Sequence, residues 1–388
     1  MKKRFFIWMA ICCSAQLYAA EYSFSFYGAP VTLELPQSLL QAPSLKPGAS
    51  KEELEQRIRD WNQDDLRALA ENLKVSAAAM QLDDVACARL MNVCTRNLYG
   101  DNPDAMLMEW LLLRHASYDA VLGTGSKLSV YLQFAFLTEG TQFITYMGKK
   151  YTLPQGEPDP FSGKETVFVS TEEPATEGNA LFFNMRQLPQ LGKSRRLRKC
   201  MFTFNETVYK LYVPWMDDVV DYLNDLPVIQ LGPLFYETPV NVWARKLLLD
   251  SFSLWTAGFS QRQTLDFLLT FVQQVFPYRR DRDYMKYDRH NFSEQTLAAP
   301  YADCEDKAVL FAQLVRDVMG YSSLFIYNAQ LQHISVAVAW PFSGVGQTIQ
   351  HQSTNYLICE PANYGYRAGE SRLPEHEPGV IIPLQQNF

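Results

Sequence analysis

Two residues of the C-terminal third could support nucleophilic catalysis by a thiol, namely Cys304 and His333. Cys304 follows Asp303, a residue type that caps helices, so we expect the thiol in the first turn of a helix. Free backbone N–H groups and the helix dipole favour a thiolate there and can hold the oxyanion of a tetrahedral intermediate. The charges of Asp303, Glu305 and Asp306 oppose this by raising the thiol pKa. A cationic imidazole near the thiol is therefore needed.

His333 is the histidine suited to be that partner. It begins a predicted strand soon after the helix, and Glu360 ends the next predicted strand. A carboxylate there can orient the imidazole through its second ring nitrogen. Taken singly, a cysteine is usually a small buried residue and a histidine an ordinary hydrogen-bonded one. Order and spacing alone thus leave both catalysis and a structural role open.

The elements around these residues are predicted to be a helix and antiparallel strands. Apolar residues of 304–319 fall on one helical face, and Gly320 is suited to end the helix. Three strands follow and two amphipathic helices precede this helix. Their predicted ranges are 324–329, 333–340 and 355–360 for the strands, and 240–254 and 263–276 for the helices.

Residues 303–308, with the sequence Asp-Cys-Glu-Asp-Lys-Ala, closely resemble the cysteine motif of transglutaminase-like proteins. The strand 333–338 resembles the histidine strand of this family, and 356–361 resembles its acid strand. The approach through 276–278 and 292–297 looks like that of exported bacterial members. Together these segments cover residues 240–370, a little over a third of the chain. Two departures are Glu360, where the family usually has Asp, and Ala362, where it often has Thr.

The resemblance implies an α+β fold with a C-terminal, papain-like core in which a cysteine helix packs on an antiparallel sheet. It implies an exported hydrolase or acyltransferase that attacks peptide-like amides through a thioester on Cys304. His333 would be the base, and Glu360 would orient it. The family also contains inactive members, so the alternative is a catalytically weak or inactive binding protein of the cell envelope. No metal or organic cofactor is expected.

The loop 279–300, which leads into the cysteine helix, is rich in charged and aromatic residues. Loops on a rigid scaffold often carry recognition, and tyrosine with arginine suits extended peptides or glycopeptides. We therefore interpret Tyr284, Tyr287 and Arg289 as residues of the substrate rim. The alternative is a segment that only covers the core. Tyr301 is a candidate for the second oxyanion donor.

The N-terminus predicts export. A basic start, a short apolar stretch and small residues up to Ala20 are typical of a Sec-type signal peptide, so we expect a periplasmic or secreted protein without stable membrane insertion. The formal net charge of −7 argues against nucleic acid as a partner. We interpret the one dense basic run, 193–199, as a solvated loop between strands. A peptide, protein or glycopeptide substrate remains the expected partner.

Four segments are predicted along the chain: a signal peptide over 1–20, a helical and β region over 21–135, a β-rich region over 136–235 and a transglutaminase-like catalytic domain over 236–388. The second could be a degenerate transglutaminase-like half. Residues 107–118 align without gaps on 310–321 at an offset of 203, which puts Asp101 under Cys304 and Val130 under His333. Unrelated helix–strand pairs with similar apolar spacing explain this match equally well.

Overall fold

The computed structural model describes residues 19–40, 44–124, 127–154, 166–170, 178–184, 188–283, 289–342, 346–374 and 379–384. Residues 1–18 of the predicted signal peptide lie outside these ranges. Within them the chain combines helices with antiparallel sheets, so the predicted α+β class is confirmed. In this part of the chain no helix is both long and apolar enough to cross a membrane.

The helices fall into an N-terminal and a C-terminal group. The first group is α1 (Lys51–Asp60), α2 (Gln63–Ala79), α3 (Asp84–Tyr99) and α4 (Pro103–His115). The second is α5 (Asp217–Asn224), α6 (Pro233–Glu237), α7 (Val242–Thr256), α8 (Gln261–Val275), α9 (Ser293–Ala298) and α10 (Cys304–Met319).

The strands form two hairpin sheets and two larger sheets. One hairpin is β1 (Ala19–Phe26) with β2 (Ala29–Pro36), and the other is β8 (Arg195–Phe204) with β9 (Thr207–Met216). The first large sheet contains β3 (Ala120–Thr124), β4 (Leu128–Leu132), β5 (Phe143–Tyr146), β6 (Lys149–Thr152) and β7 (Thr166–Val167). The second contains β10 (Ser323–Asn328), β11 (His333–Ala339), β12 (Thr348–His351), β13 (Thr354–Cys359) and β14 (Val380–Pro383).

The two large sheets have the same strand topology. Their spatial orders are β5-β6-β4-β3-β7 and β12-β13-β11-β10-β14. If the strands of each sheet are lettered a to e along the chain, both orders become c-d-b-a-e. A helix precedes each sheet and packs on its first two strands, α4 in one case and α10 in the other. The two sheets and the helices that precede them thus share one arrangement of elements.

The strand register corrects the gapless alignment of the two halves. Leu122 pairs with Val130, whereas Phe325, which lies 203 residues after Leu122, pairs with Val336. Val130 therefore corresponds to Val336 and not to His333. The reason is that the two hairpins differ in length. In the first sheet three residues lie between the paired Thr124 and Leu128. In the second sheet six residues lie between the paired Tyr327 and Ile334.

The large sheets also bear on the predicted segment boundaries. The boundary between residues 135 and 136 falls inside the first sheet, because β4 precedes it and β6 follows it. The boundary between 235 and 236 falls inside α6. One hydrophobic core, which extends along the chain from Phe24 to Leu384, joins the elements on both sides of each boundary.

The basic run 193–199 is not a loop, as we had interpreted it, because β8 begins at Arg195. The alternating pattern along the strand decides this, because Cys200 and Phe202 are buried while Lys199 and Met201 are exposed. The buried face of β8 packs on α8, where Phe202 contacts the rings of Phe267 and Phe271. This packing outweighs the preference of the charged residues for a loop.

The helices α8 and α10 pack against each other and bury a lysine between them. Lys307 is 1% exposed, and its amine donates to the carbonyl of Gln273 at 3.4 Å. Gln273 lies in the last turn of α8, where carbonyls lack partners within the helix. Burial lowers the pKa of Lys307 to about 8. The folded chain therefore charges this amine less readily than the unfolded chain does.

The first prediction concerns this lysine. The folded pKa lies below the unfolded value, so the folded chain binds fewer protons from about pH 8 to pH 10.5 and stability rises with pH in that window. Lys307→Met removes this dependence. Relative to Lys307→Met, the wild type should gain about 2–3 kcal/mol of unfolding free energy between pH 7 and pH 10, measured by urea denaturation. The exposed Lys199→Met is the control, and parallel pH curves for wild type and Lys307→Met would contradict the prediction.

Candidate active site

Cys304 is the first residue of α10, and both predicted ends of this helix are confirmed. The side chain of Asp303 accepts a hydrogen bond from the backbone N–H of Asp306 at 3.3 Å, which caps the helix. At the other end, Gly320 adopts a φ of +72°, a left-handed conformation that glycine takes without a steric penalty. Asp303 and Gly320 thus define the two ends of α10, and the Asp303 cap places the thiol at the positive end of the helix dipole.

The thiol lies beside the start of the histidine strand. The backbone N–H of Ile334, the residue that follows His333 in β11, is near enough to the sulfur to lower the pKa of the thiol. The Sγ–H group of Cys304 donates to Oε2 of Glu305 at 2.8 Å. The start of α10 and the start of β11 thus meet at one point of the fold, as the order of elements predicted.

His333 is held by Glu360. Its Nε2 lies 2.7 Å from Oε2 of this carboxylate, which is fully buried at the end of β13. This contact leaves Nδ1 as the ring nitrogen that can exchange a proton with a reacting group. The imidazole of His333 and the carboxylate of Glu360 are therefore in direct contact, and the thiol of Cys304 lies near Ile334, the next residue of β11.

Glu360 is held in place by several donors besides His333. Its Oε1 accepts hydrogen bonds from the hydroxyl groups of Ser335 and Ser371, at 2.8 and 2.7 Å. The amide of Asn363 donates to Oε2 at 3.2 Å. Glutamate has one methylene more than the aspartate usual in the resembling family. These contacts fix the longer side chain, so its carboxylate still reaches the imidazole.

The electrostatic surroundings keep the Cys304 proton on sulfur. Burial raises the pKa of this thiol well above its ordinary value, and the charges of Glu305 and Asp303 raise it further. The backbone N–H of Ile334 lowers the thiol pKa but is the smaller effect. The opposition expected from the flanking acids is therefore present. In this arrangement the thiol is neutral.

The other two acids of the motif are buried and structural. Burial raises the pKa of Asp303, with further contributions from Asp306, Glu305 and Asp281. Asp306 accepts hydrogen bonds from the backbone and side-chain N–H groups of Asn291, at 2.9 and 2.8 Å. Burial and Glu305 also raise the pKa of Asp306. These contacts tie the incoming chain to the first turn of α10.

Of the three predicted rim residues, Tyr284 and Tyr287 lie outside the described residues. Arg289 is buried and does not lie at a rim, which corrects that interpretation. Its guanidinium donates to backbone carbonyls at the end of α5, including that of Leu226 at 3.3 Å. Unpaired carbonyls at a helix C-terminus attract a cation, and this physical demand decides the position of Arg289.

Tyr301 and the following Ala302 lie against residues 277–279. Its ring stacks under the guanidinium of Arg279, with 5.0 Å between the charge and the ring centroid. The backbone of Ala302 pairs with 277–279, where its N–H donates to the carbonyl of Pro277 at 3.0 Å. These contacts do not test an oxyanion role for Tyr301, which stays a prediction.

Two residues near the thiol were not singled out from the sequence. Tyr278 is 46% exposed, and burial together with the neighbouring Cys304 raises its pKa. Gln273 donates to the backbone carbonyls of Glu360 and Tyr366, at 3.0 Å each, and so fixes the end of the acid strand. Tyr278 lies in a segment that resembles the family, which was a usable signal. Gln273 gave none, because its role depends on contacts across the fold.

The remaining chemistry of the described residues is simple. Among the described residues, Cys87, Cys94, Cys200, Cys304 and Cys359 are free thiols and all are buried. Within the described ranges, no cluster of three or more histidine, cysteine or acidic side chains could hold a metal ion. Comparison of the chain with protein-family models, curated proteins and solved structures found no match.

The second prediction tests the buried carboxylate. Glu360→Gln keeps the shape of the side chain but presents an amide to donors that now bond a carboxylate. We expect a loss of about 2–4 kcal/mol in unfolding free energy at pH 7, since buried donors lose a charged acceptor. Urea denaturation with an unchanged m-value would measure it.

Glu237→Gln is the control, because this exposed acid should change stability by less than about 0.5 kcal/mol. Equal urea midpoints for wild type and Glu360→Gln would show that the carboxylate does not stabilise the fold.

Proposed function

We propose that the chain is a cysteine-dependent hydrolase or acyltransferase that attacks peptide-like amide bonds. One observation carries this proposal: the thiol of Cys304, at the start of α10, lies beside the strand that begins with His333, whose imidazole is bonded to the buried Glu360. A nucleophile, a base and an acid that orients the base are the minimum set for this chemistry.

The proposed reaction runs in two balanced steps. The sulfur of Cys304 attacks the amide carbonyl carbon while its proton passes to Nδ1 of His333. The backbone N–H of Cys304 is suited to stabilise the oxyanion. The C–N bond then breaks, and the leaving amine takes the proton from His333. Water or a second amine next attacks the thioester, with His333 as base, and the thiol is regenerated.

The fold supports a transglutaminase-like, papain-like interpretation of the C-terminal half. A helix that bears the cysteine packs on an antiparallel sheet that bears the histidine and the acid, as that resemblance implies. The N-terminal sheet has the same strand topology, and at the offset of 203 residues the exposed Asp101, which is paired with Arg96, aligns with Cys304. We infer that the first half is a degenerate copy.

One observation favours the alternative of a binding protein with little or no activity. The Cys304 thiol donates to Glu305, and its pKa is raised, so the resting site lacks a thiolate. A base that takes the proton during attack can activate a neutral thiol. Serine hydroxyl groups, whose pKa is also high, are activated by a base in this way. The two functions therefore differ in whether His333 supports turnover.

The third prediction tests the function. Casein and a fluorescent primary amine are incubated with the protein, and both amine incorporation and ammonia release are measured. Either signal should fall by about 10³-fold or more in Cys304→Ala and in His333→Gln, because the nucleophile or its base is lost.

Cys359→Ala is the matched control, since this thiol is also buried and lies next to Glu360 in the chain. Cleavage of casein is followed in the same samples by mass spectrometry. If wild type and Cys304→Ala are equally inactive in all three assays, and in the same assays with a glycopeptide substrate, the binding function is favoured.

A further inference from the structure

A second histidine–carboxylate pair contacts the thiol directly. The Sγ–H of Cys304 donates to Oε2 of Glu305 at 2.8 Å, and Oε1 of the same carboxylate lies 3.5 Å from Nδ1 of His290. One carboxylate therefore bridges the thiol and an imidazole with its two oxygens. The proposed reaction uses neither Glu305 nor His290.

This pair is largely withdrawn from solvent. The side chains of Glu305 and His290 are 13% and 19% exposed, and the imidazole packs edge-on against the ring of Phe235. Nδ1 of His290 is buried and has no hydrogen bond to the residues that the structure describes. At 3.5 Å its contact with Glu305 is mainly one of charge. A buried carboxylate needs such a counter-charge, and His290 is the cation nearest to it.

The pKa directions agree with this geometry. Burial alone would raise the pKa of Glu305, but His290 and the Cys304 thiol lower it below its ordinary value. Burial alone would lower the pKa of His290, but Glu305 raises it above its ordinary value. Each partner thus favours the charged form of the other.

Other titratable or charged groups face the pair from every side. Most are acids, and His290 is the cationic partner in contact with Glu305. They are the N-cap Asp303, Asp306 on α10, Asp281 on the preceding segment, Glu139, and Tyr278 and Arg280 beside the thiol.

We propose that Glu305 and His290 are positioning residues that hold the Cys304 proton on sulfur until an acyl donor is bound. This builds on the proposed role of Cys304 as the nucleophile. During attack the Sγ–H bond breaks, the sulfur electron pair forms the C–S bond, and Nδ1 of His333 takes the proton. Glu305 stays ionised and paired with His290 throughout.

A neutral resting thiol has a chemical advantage in the compartment that the N-terminus predicts. Oxidants and disulfides react with the thiolate and hardly with the thiol. A site that forms its thiolate only in contact with substrate keeps an unpaired cysteine reduced outside the cytoplasm. The substrate itself then triggers the proton transfer, because only the attack on its carbonyl makes transfer to His333 favourable.

The two residues are expected to act in opposite directions on the thiol. Glu305→Gln removes a negative charge beside the sulfur, so the thiol pKa should fall and alkylation at pH 7 should accelerate at least about tenfold, the effect of one pKa unit. His290→Gln leaves the charge of Glu305 uncompensated, so the thiol pKa should rise and alkylation should slow about threefold or more. If the two residues were merely structural, both substitutions would change the alkylation rate of Cys304 in the same direction.

The experiment measures the rate of iodoacetamide alkylation at Cys304 from pH 5 to pH 10, by mass spectrometry of the peptide that contains it. Glu237→Gln controls for loss of one negative charge, and thermal unfolding of each variant controls for folding. Glu305→Asp, which keeps the charge, should remain close to wild type. If Glu305→Gln does not fold, the slower alkylation expected of His290→Gln still decides.

Equal shifts in the same direction for both variants, or no shift in folded variants, would overturn the proposal. The assay contains no acyl donor, so its outcome is independent of turnover. Failure of the casein and glycopeptide assays with opposite shifts here would refute the proposed function and leave the proton-holding role intact. Turnover in those assays without opposite shifts here would support the proposed function and refute the proton-holding role.

Discussion

The burial of carboxylates around one thiol is the constraint on which this part of the structure depends. An ionised carboxylate without partners is too costly to bury, so each one must find donors or a cation. Asp306 finds them in Asn291, and Asp281 accepts the backbone N–H of Arg289 at 3.0 Å. These bonds define the path of the chain that leads to α10. Glu360 fixes the residues after β13 in the same way, since Ser371 and Asn363 both donate to it.

The N-terminal half shows what the same topology does without a reactive thiol. Its buried acids are paired with arginine, amide and backbone donors. Asp104, in the first turn of α4, binds Arg57 at 2.7 Å and accepts the backbone N–H of Leu45 at 2.8 Å. Glu109 is bonded to Asn92 at 2.6 Å, and burial raises its pKa to about 7. The acids of the C-terminal half differ, because Glu305 contacts the thiol of Cys304 and Glu360 contacts the imidazole of His333.

Local chemistry explains why parts of the site were predictable. Capping by Asp303 and Gly320 depends on residues within one turn, so both ends of α10 were predicted correctly. The alternation of apolar residues likewise predicted the strand that begins with His333 and the strand that leads to Glu360. Contacts between distant residues were beyond such reasoning. Arg289 binds carbonyls of α5 about 65 residues away, and the basic run 193–199 enters a strand because apolar neighbours pack on α8.

Glu305 marks the limit of a motif-based interpretation. From the sequence it is one of three acids around Cys304, and all three raise the thiol pKa in the same sense. The structure separates them, because Asp303 caps a helix and Asp306 binds Asn291, while Glu305 accepts a hydrogen bond from the thiol. A motif can therefore state that charge opposes the thiolate. Which carboxylate touches sulfur, and which imidazole balances it, follows only from the fold that brings His290 to the start of α10.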